Sequence, residues 1–290
     1  MGRFEADTPH VGGLEDDGHY TPSIKEHSLR KIRLHNHYVS VFSTAMKDKW
    51  PQRAYVGLYS GPGRGRLADT GEIVTTTALA AVQVTDPFTK YIFVDNDPRC
   101  IDALQARIQA LDRDYDVSCI EEDVSKAVPE IMEVMPSYSK DKGLLSFCFA
   151  DPFSAKMDFK VFRTLGSKYK MDFLVLLMLG RDVRTNFRQY LQDESDDRVA
   201  RLIDDENWRA EWIAGGYQRS NLIRFMLEKF NHAMTSIGYQ PQRPDDAHPI
   251  RLLEKKNVLL YHLVLYSRND LGKKFWNAAR SGVDDQLRLL

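Results

Sequence analysis

The chain has 290 residues, 43% of them hydrophobic and 28% charged, with a formal net charge of −1. This is ordinary globular usage, enough for one large α/β domain or two small ones, with no run apolar enough to cross a bilayer and no charged-then-apolar leader; a cytoplasmic protein without a membrane partner is expected. The near-neutral total excludes a globally basic nucleic-acid binder and leaves room only for a local basic patch.

Residues 1 to 22 are polar, glycine-bearing and aperiodic, and read as a mobile arm. From Pro22 to about Lys49 the apolar positions Ile24, Leu29, Ile32, Val39, Phe42 and Met46 recur at roughly helical spacing, which predicts one or two amphipathic helices. His35 and His37 in this stretch point apart on a helix, so with His27 they read as solvated or substrate-facing side chains and not as metal ligands. The apolar run Tyr55 to Leu58 is a first strand that breaks abruptly into Gly61, Gly63 and Gly65. Arg64 to Gly71 reads as a surface loop and Ile73 to Val84 as a helix packed on a sheet.

Tyr91 to Val94 is a second strand, ending in Asp95-Asn96-Asp97-Pro98, with a helix from about Arg99 to Asp112 whose first turn suits proline. Asp116 to Glu121 is a third, closed by Glu122-Asp123 and followed by a helix through Val134. Leu144 to Ala150, almost wholly apolar, is a fourth and runs into Asp151-Pro152-Phe153; Met171 to Leu179 is a fifth. Between Asp182 and Gly238 the strand signal gives way to a charged, helical stretch containing Trp208, Trp212 and Tyr217, which reads as an insertion at about 182–240 for a substrate or a protein partner. Ile250 to Leu253 and Val258 to Tyr266 alternate like a β-hairpin, and Gly272 to Ala279 resembles a terminal helix. Cys100, Cys119 and Cys148 are odd in number and far apart, and read as buried thiols with no disulfide or zinc role.

Five apolar runs separated by helices are what a mostly parallel sheet covered on both faces requires, so residues 23–290 are expected to form one α/β domain carrying the helical insertion. Each run places its polar residues at its C-terminal end, where open α/β sheets bind ligands. Gly61 and Gly63 let the backbone turn sharply and let a ligand approach the main chain, although a tight turn with no ligand has the same composition. Asp95 lies 34 residues after Gly61, more than the roughly 20 of a dinucleotide fingerprint, and is placed to accept from two ribose hydroxyls, while Asp97 before Pro98 suits a helix cap. Asp123 either accepts from an adenine amine or caps the next helix. Asp151, Pro152 and Phe153 combine a hydrogen-bond acceptor, a stiff turn and a ring that stacks on a planar substrate, or else form a plain strand-ending turn. Trp208, Trp212 and Tyr217 either stack on a base or, at helical spacing, are helix core.

Tyr59-Ser60-Gly61-Pro62-Gly63-Arg64, then Phe93 to Asp97, then Asp151-Pro152-Phe153, resembles the class I S-adenosylmethionine-dependent methyltransferase plan. More narrowly the chain is similar to the bacterial three-Cys-motif partner family. The resemblance covers about residues 23 to 280 and includes the helix before the first strand, Arg184-Thr185-Asn186 after the fifth, and the closing Tyr266-Ser267-Arg268 and Gly272 to Trp276. It implies a Rossmann-like fold with a seven-stranded sheet and a C-terminal hairpin. It further implies S-adenosylmethionine as cofactor, held by Tyr59, Ser60, Gly61, Gly63, Asp95 and Asp123, with Asp151, Pro152 and Phe153 as the catalytic turn. Three positions depart from the family pattern: Gly57 where an acidic residue is usual, Ser60 for alanine, and Ser154 for the last glycine of the Asp-Pro turn. Two functions follow, N-methylation of an exocyclic amine on a nucleic-acid base, or a methyltransferase-like module that binds a partner and does not turn over. A nicotinamide dehydrogenase is disfavoured by Pro62 within the glycine turn and the lack of a hydride-transfer pair.

Overall fold

The computed structural model describes residues 13–137, 143–252 and 257–288. The expected tail residues 1–12 and the hairpin turn at 253–256 lie outside them. The chain divides into two units, residues 1–149 with 270–290, and residues 150–269.

In the first unit, β1 (Ser23–Ile24) and α1 (His27–Met46) precede β2 (Gln52–Leu58), whose residues from Arg53 onward are all buried. Then come β3 (Arg64–Leu67), β4 (Ile73–Thr75) and the short α2 (Thr77–Val82). β5 (Lys90–Asp95) leads into α3 (Pro98–Gln109), which Asp97 caps by accepting the Arg99 N–H at 3.0 Å. β6 (Val117–Glu121), α4 (Val128–Val134) and β7 (Leu144–Ala150) follow. In the second unit lie α5 (Phe159–Lys168), β8 (Met171–Leu177), a π-helical turn over Leu179–Val183, α6 (Arg184–Gln192), α7 (Arg198–Ile203), α8 (Trp208–Ala214), α9 (Leu222–Ser236), β9 (His248–Leu252) and β10 (Val258–Tyr266). α10 (Asp270–Arg288) belongs to the first unit.

The main sheet has seven strands in the order β6-β5-β2-β7-β8-β10-β9. β2, β5 and β6 pair in parallel, whereas β10 runs antiparallel to both β8 and β9. This is the Rossmann-like α/β architecture expected from the sequence, a seven-stranded, mostly parallel sheet closed by a C-terminal hairpin. The parallel strands read as continuous apolar runs because both faces are covered.

One face of the first unit is an aromatic core. Tyr38 of α1 lies 5.3 Å from Phe147 and 6.0 Å from Trp276 of α10, and Tyr55 lies 5.8 Å from both Phe93 and Phe147, ring pairs that add about 0.5–1.5 kcal/mol each beyond their burial. His35 sits inside it, fully buried, which corrects the expectation of a solvated or substrate-facing histidine. Burial pushes its pKa down to about 3, so the ring is neutral; Nδ1 donates to Asn36 Oδ1 at 2.9 Å and Nε2 accepts from the Tyr55 hydroxyl at 2.8 Å.

Two segments differ from their sequence reading. The expected loop 64–71 contains β3, and the expected helix 73–84 is split into β4 and α2; β1, β3 and β4 form a separate three-stranded sheet. Gly65 makes this possible, because a β-carbon there would meet Ile24 Cδ1 at 2.8 Å. The part of the expected mobile arm that is described is also held in place. Leu14 N–H donates to Ile73 O at 3.3 Å, and residues 17–21 are fastened by Arg107.

In the second unit Trp208 is fully buried and Trp212 nearly so, the latter 4.8 Å from Phe187 and 5.2 Å from Phe225. Tryptophans at this helical spacing are core, and of the three aromatics named for base stacking only Tyr217 is exposed. Cys100 and Cys148 are buried and Cys119 half-buried, all three free, and desolvation raises the Cys119 thiol to about 11 and the Cys100 thiol to about 12.

Candidate functional site

The glycine turn follows β2 directly. Tyr59, Gly61 and Gly63 all have positive φ, at 60°, 64° and 82°. A non-glycine residue in the left-handed region costs about 1–2 kcal/mol, so Tyr59 is held there by what surrounds it. Ser60 N–H donates to Val94 O at 3.0 Å, tying the turn to β5. Gly61 N–H then donates to Asp95 Oδ2 at 2.8 Å, and Asp97 N–H donates to Asp95 Oδ1 at 3.0 Å. Asp95, only 6% exposed, thus bridges two strand-end turns. A carboxylate has about four acceptor sites, so two such bonds leave capacity for a ligand's hydroxyls.

The glycines do different work. A β-carbon at Gly61 would meet nothing within 4 Å, so this position opens onto space. At Gly63 it would meet Leu104 Cδ1 at 2.9 Å and Leu79 Cβ at 3.0 Å, so Gly63 lets α2 and α3 pack against the turn. Just before Gly61 lies Ser60, 7% exposed, whose Oγ is buried and meets no hydrogen-bond partner among the described residues. An orphaned hydroxyl beside an open glycine is what a polar ligand group would satisfy.

Arg107 of α3, 3% exposed, supports the turn from behind. Its Nη1 donates to Pro62 O at 2.7 Å and to Tyr20 O at 3.0 Å, while Nε and Nη2 clamp the Asp17 carboxylate at 2.8 Å each. The hydrogen bonds from Arg107 overcome partial burial and hold Asp17 well below the usual carboxylate range. An arginine in an amphipathic helix gives no sequence signal for this role.

Asp123 follows β6 and is exposed; its Oδ1 accepts from the Ser125 N–H at 2.8 Å and the Ser125 hydroxyl at 2.5 Å, closing the turn before α4. Gly57, where the family pattern has an acid, faces the aromatic core. A β-carbon there would lie 3.0 Å from Phe93 Cδ1 and 3.3 Å from Tyr55 Cε1. Phe93 and Tyr55 fill the space a longer side chain would need.

In the second unit, Asp151 is half-buried, Pro152 buried, and Phe153 84% exposed. Burial and then the charge of Asp151 push the Tyr261 phenol up, which puts the carboxylate near that β10 side chain. The turn is anchored by a residue the sequence reading passed over. Asp182 Oδ2 accepts the Ala155 N–H at 2.6 Å, and its Oδ1 accepts from Asn186 Nδ2 at 2.8 Å and the Tyr190 hydroxyl at 2.6 Å. Burial raises its pKa, but the Tyr190, Ala155 and Asn186 hydrogen bonds outweigh that and hold it low. The spacing 182, 186, 190 on one helical face was a usable signal. Among the described residues no group of three or more His, Cys, Asp or Glu side chains is placed to hold a metal ion.

No protein-family model matches the chain, and no curated protein matches it. Several solved structures do. Magnesium protoporphyrin IX methyltransferase from Synechocystis PCC 6803, with bound S-adenosylhomocysteine, is 8% identical, covering 89% of this chain and 90% of that one at a TM-score of 0.41. The methyltransferase domain of a bacterial Hen1 protein is 11% identical over 81% of this chain and 99% of that one at 0.38. Geranyl diphosphate C-methyltransferase from Streptomyces coelicolor A3(2) is 11% identical over 79% of each chain at 0.39. At such identities and scores these likenesses carry no statement about the activity of this chain.

Proposed function

We propose that the protein is an S-adenosylmethionine-dependent methyltransferase acting on a nitrogen, the exocyclic amine of a nucleic-acid base, and that it belongs with the three-Cys-motif partner family. The observation that carries the reading is the strand-end pair Gly61 and Asp95, with the Ser60 hydroxyl beside them, unpartnered among the described residues. A nucleoside-bearing cofactor needs those groups: backbone without a β-carbon, a carboxylate with acceptor sites to spare, and a polar group short of a partner. Bound there, S-adenosylmethionine supplies a methyl group already activated by its sulfonium. Asp95 accepts from the ribose hydroxyls, Asp123 accepts from the adenine amine alongside its turn-closing bonds, and Tyr59 to Gly63 give the main-chain cradle. Asp151 accepts a hydrogen bond from the acceptor amine and orients its lone pair, Pro152 stiffens the turn, and Phe153 stacks on the base. Little acid–base help is required, and alignment supplies most of the acceleration.

The test is transfer of isotopically labelled methyl from S-adenosylmethionine to single-stranded DNA or RNA, with N-methylated bases read by mass spectrometry after digestion. N-methylated adenine or cytosine, lost in Asp151→Ala, is expected. Label on carbon or on protein instead would overturn the acceptor assignment.

A second reading, a methyltransferase-like module that binds a partner and does not turn over, is favoured by Gly57, where aromatic packing fills the place of the family's acid. It predicts cofactor binding or none, and no transfer to any acceptor.

A further inference from the structure

The surface arginines of the second unit include several that pair with carboxylates. Arg163 pairs with Asp204, Arg198 with Asp196, Arg201 with Asp158 and Arg224 with Glu228. Arg181, Arg184 and Arg188 are exposed and their guanidinium groups pair with no carboxylate among the described residues. Their spacing of three and then four residues puts them on one face of the π-helical turn and α6, apart from the buried Val183, Phe187 and Tyr190. A fourth, Arg219, is brought to the same place because its Nη2 donates to Arg184 O at 2.9 Å. The one carboxylate within this stretch, Asp182, is turned inward and consumed by Ala155, Asn186 and Tyr190. An open groove along α6, lined by Thr185, Asn186, Arg188, Gln189, Gln192 and Asp193, offers amide and hydroxyl groups next to the cations. Asp193, at its far end, accepts from the Ser195 N–H and hydroxyl.

The same Asp182 bond ties the turn after β7 to this arginine-bearing segment. It holds Ala155, two residues from Phe153, whose ring is 84% exposed. A phenyl ring left in water and guanidinium groups without a carboxylate contribute neither burial nor an ion pair to folding. Together they match a polyanion with flat apolar faces: guanidinium groups for phosphates, a ring for a base. An acidic peptide would satisfy the cations and leave the ring without a partner.

We infer that Arg181, Arg184, Arg188 and Arg219, with the Phe153 ring, form a docking surface for single-stranded nucleic acid. The strand's phosphates lie along α6 and one unstacked base lies on Phe153, beside Asp151. A duplex keeps its bases stacked inside, so it offers the charges and not the face. The inference rests on the methyl-transfer reading for the identity of the base's amine as acceptor, but the contact itself does not require turnover.

The experiment is fluorescence anisotropy of the full chain with labelled 12-nucleotide single strands, as DNA and as RNA of one sequence, against the annealed duplex, at several salt concentrations and without cofactor. Single strands should bind more tightly than duplex, with a slope of log K against log salt of about −3 for four phosphate contacts. Arg184→Gln with Arg188→Gln should halve that slope, Arg184→Lys with Arg188→Lys should keep it, and Phe153→Ala should weaken single-strand binding roughly tenfold without changing it. The DNA and RNA arms identify which backbone the surface takes. Duplex binding as tight as single-strand binding, or a wild-type slope near zero, overturns the inference; the wild-type slope does so even where a variant fails to fold. Strand binding by a protein that gives no heat with S-adenosylhomocysteine would sink the methyl-transfer reading and leave this surface standing. Cofactor binding without strand binding would do the reverse.

Discussion

The Gly61 N–H donates to Asp95 Oδ2 across 34 residues of sequence, so the carboxylate expected to meet a ribose is also the group that shapes the glycine turn. Asp95→Asn keeps the shape but replaces one acceptor by an NH₂ that faces a backbone N–H. One of the Gly61 and Asp97 bonds is lost, at about 1–3 kcal/mol. Thermal unfolding should show a lower Tm as well as calorimetry showing weaker S-adenosylhomocysteine binding; an unchanged Tm would mean the tie is not formed in solution.

The two glycines of the turn should separate stability from binding. Gly63→Ala drives a β-carbon against Leu79 Cβ at 3.0 Å, which cannot swing away, and should cost about 2 kcal/mol or more together with its positive φ. Gly61→Ala meets no atom and should cost only about 1 kcal/mol of backbone strain. Its methyl nevertheless occupies the open space of the cradle, so ligand affinity should fall far more than stability. Equal effects of the two on both readouts would contradict the division of roles.

Arg107 links the glycine turn to the chain segment 17–21. In Arg107→Lys an ammonium replaces a planar fork and cannot bridge Pro62 O, Tyr20 O and both oxygens of Asp17 at once. Amide hydrogen exchange in residues 14–21 should accelerate by an order of magnitude or more while the β5 core keeps its protection. Unchanged exchange would show that another contact holds the segment.

The fully buried His35 and the half-buried Asp172 give opposite pH dependences. His35, with a pKa of about 3 in the folded chain, is neutral there and charges in the unfolded chain below its ordinary value near 6.5, so its contribution is present above that pH and is lost as pH falls towards 3. Asp172 is pushed up to about 7 by burial, against the Ser267 hydrogen bond and the Arg268 charge, so the folded chain binds its proton more tightly and stability falls as pH rises from about 4 to 7. Asp172→Asn should remove the second dependence, raising Tm at pH 8 relative to wild type and changing it little at pH 4. A Tm gain that is the same at both pH values would show that Asp172 does not titrate in this window.

The sequence carried β2, β5, β7 and β8 because buried strands write themselves as nearly uninterrupted apolar runs, it carried β9 and β10 as the alternation of a hairpin, and it carried Asp97 because a cap before Pro98 is local chemistry. It did not carry β3, whose Arg-Gly-Arg-Leu has no apolar run and becomes a strand only through pairing with β1 and β4. His35 was misjudged for a similar reason, since its partner Tyr55 lies on β2, 20 residues away, and a histidine among polar helix neighbours reads as solvated. Arg107 and the Gly61–Asp95 bond were out of reach because they join turns that only the fold brings together. Asp182 was within reach, and its spacing to Asn186 and Tyr190 was overlooked in favour of the arginine and asparagine that follow it.

The most direct measurement is calorimetric titration of S-adenosylhomocysteine into wild-type protein and Gly61→Ala, each shown folded by its unfolding transition. Saturable heat with one ligand per chain for the wild type, and at least tenfold weaker binding for Gly61→Ala, is the predicted result. A folded wild type that gives no heat at millimolar ligand, or a Gly61→Ala protein that binds as tightly as wild type, would contradict it.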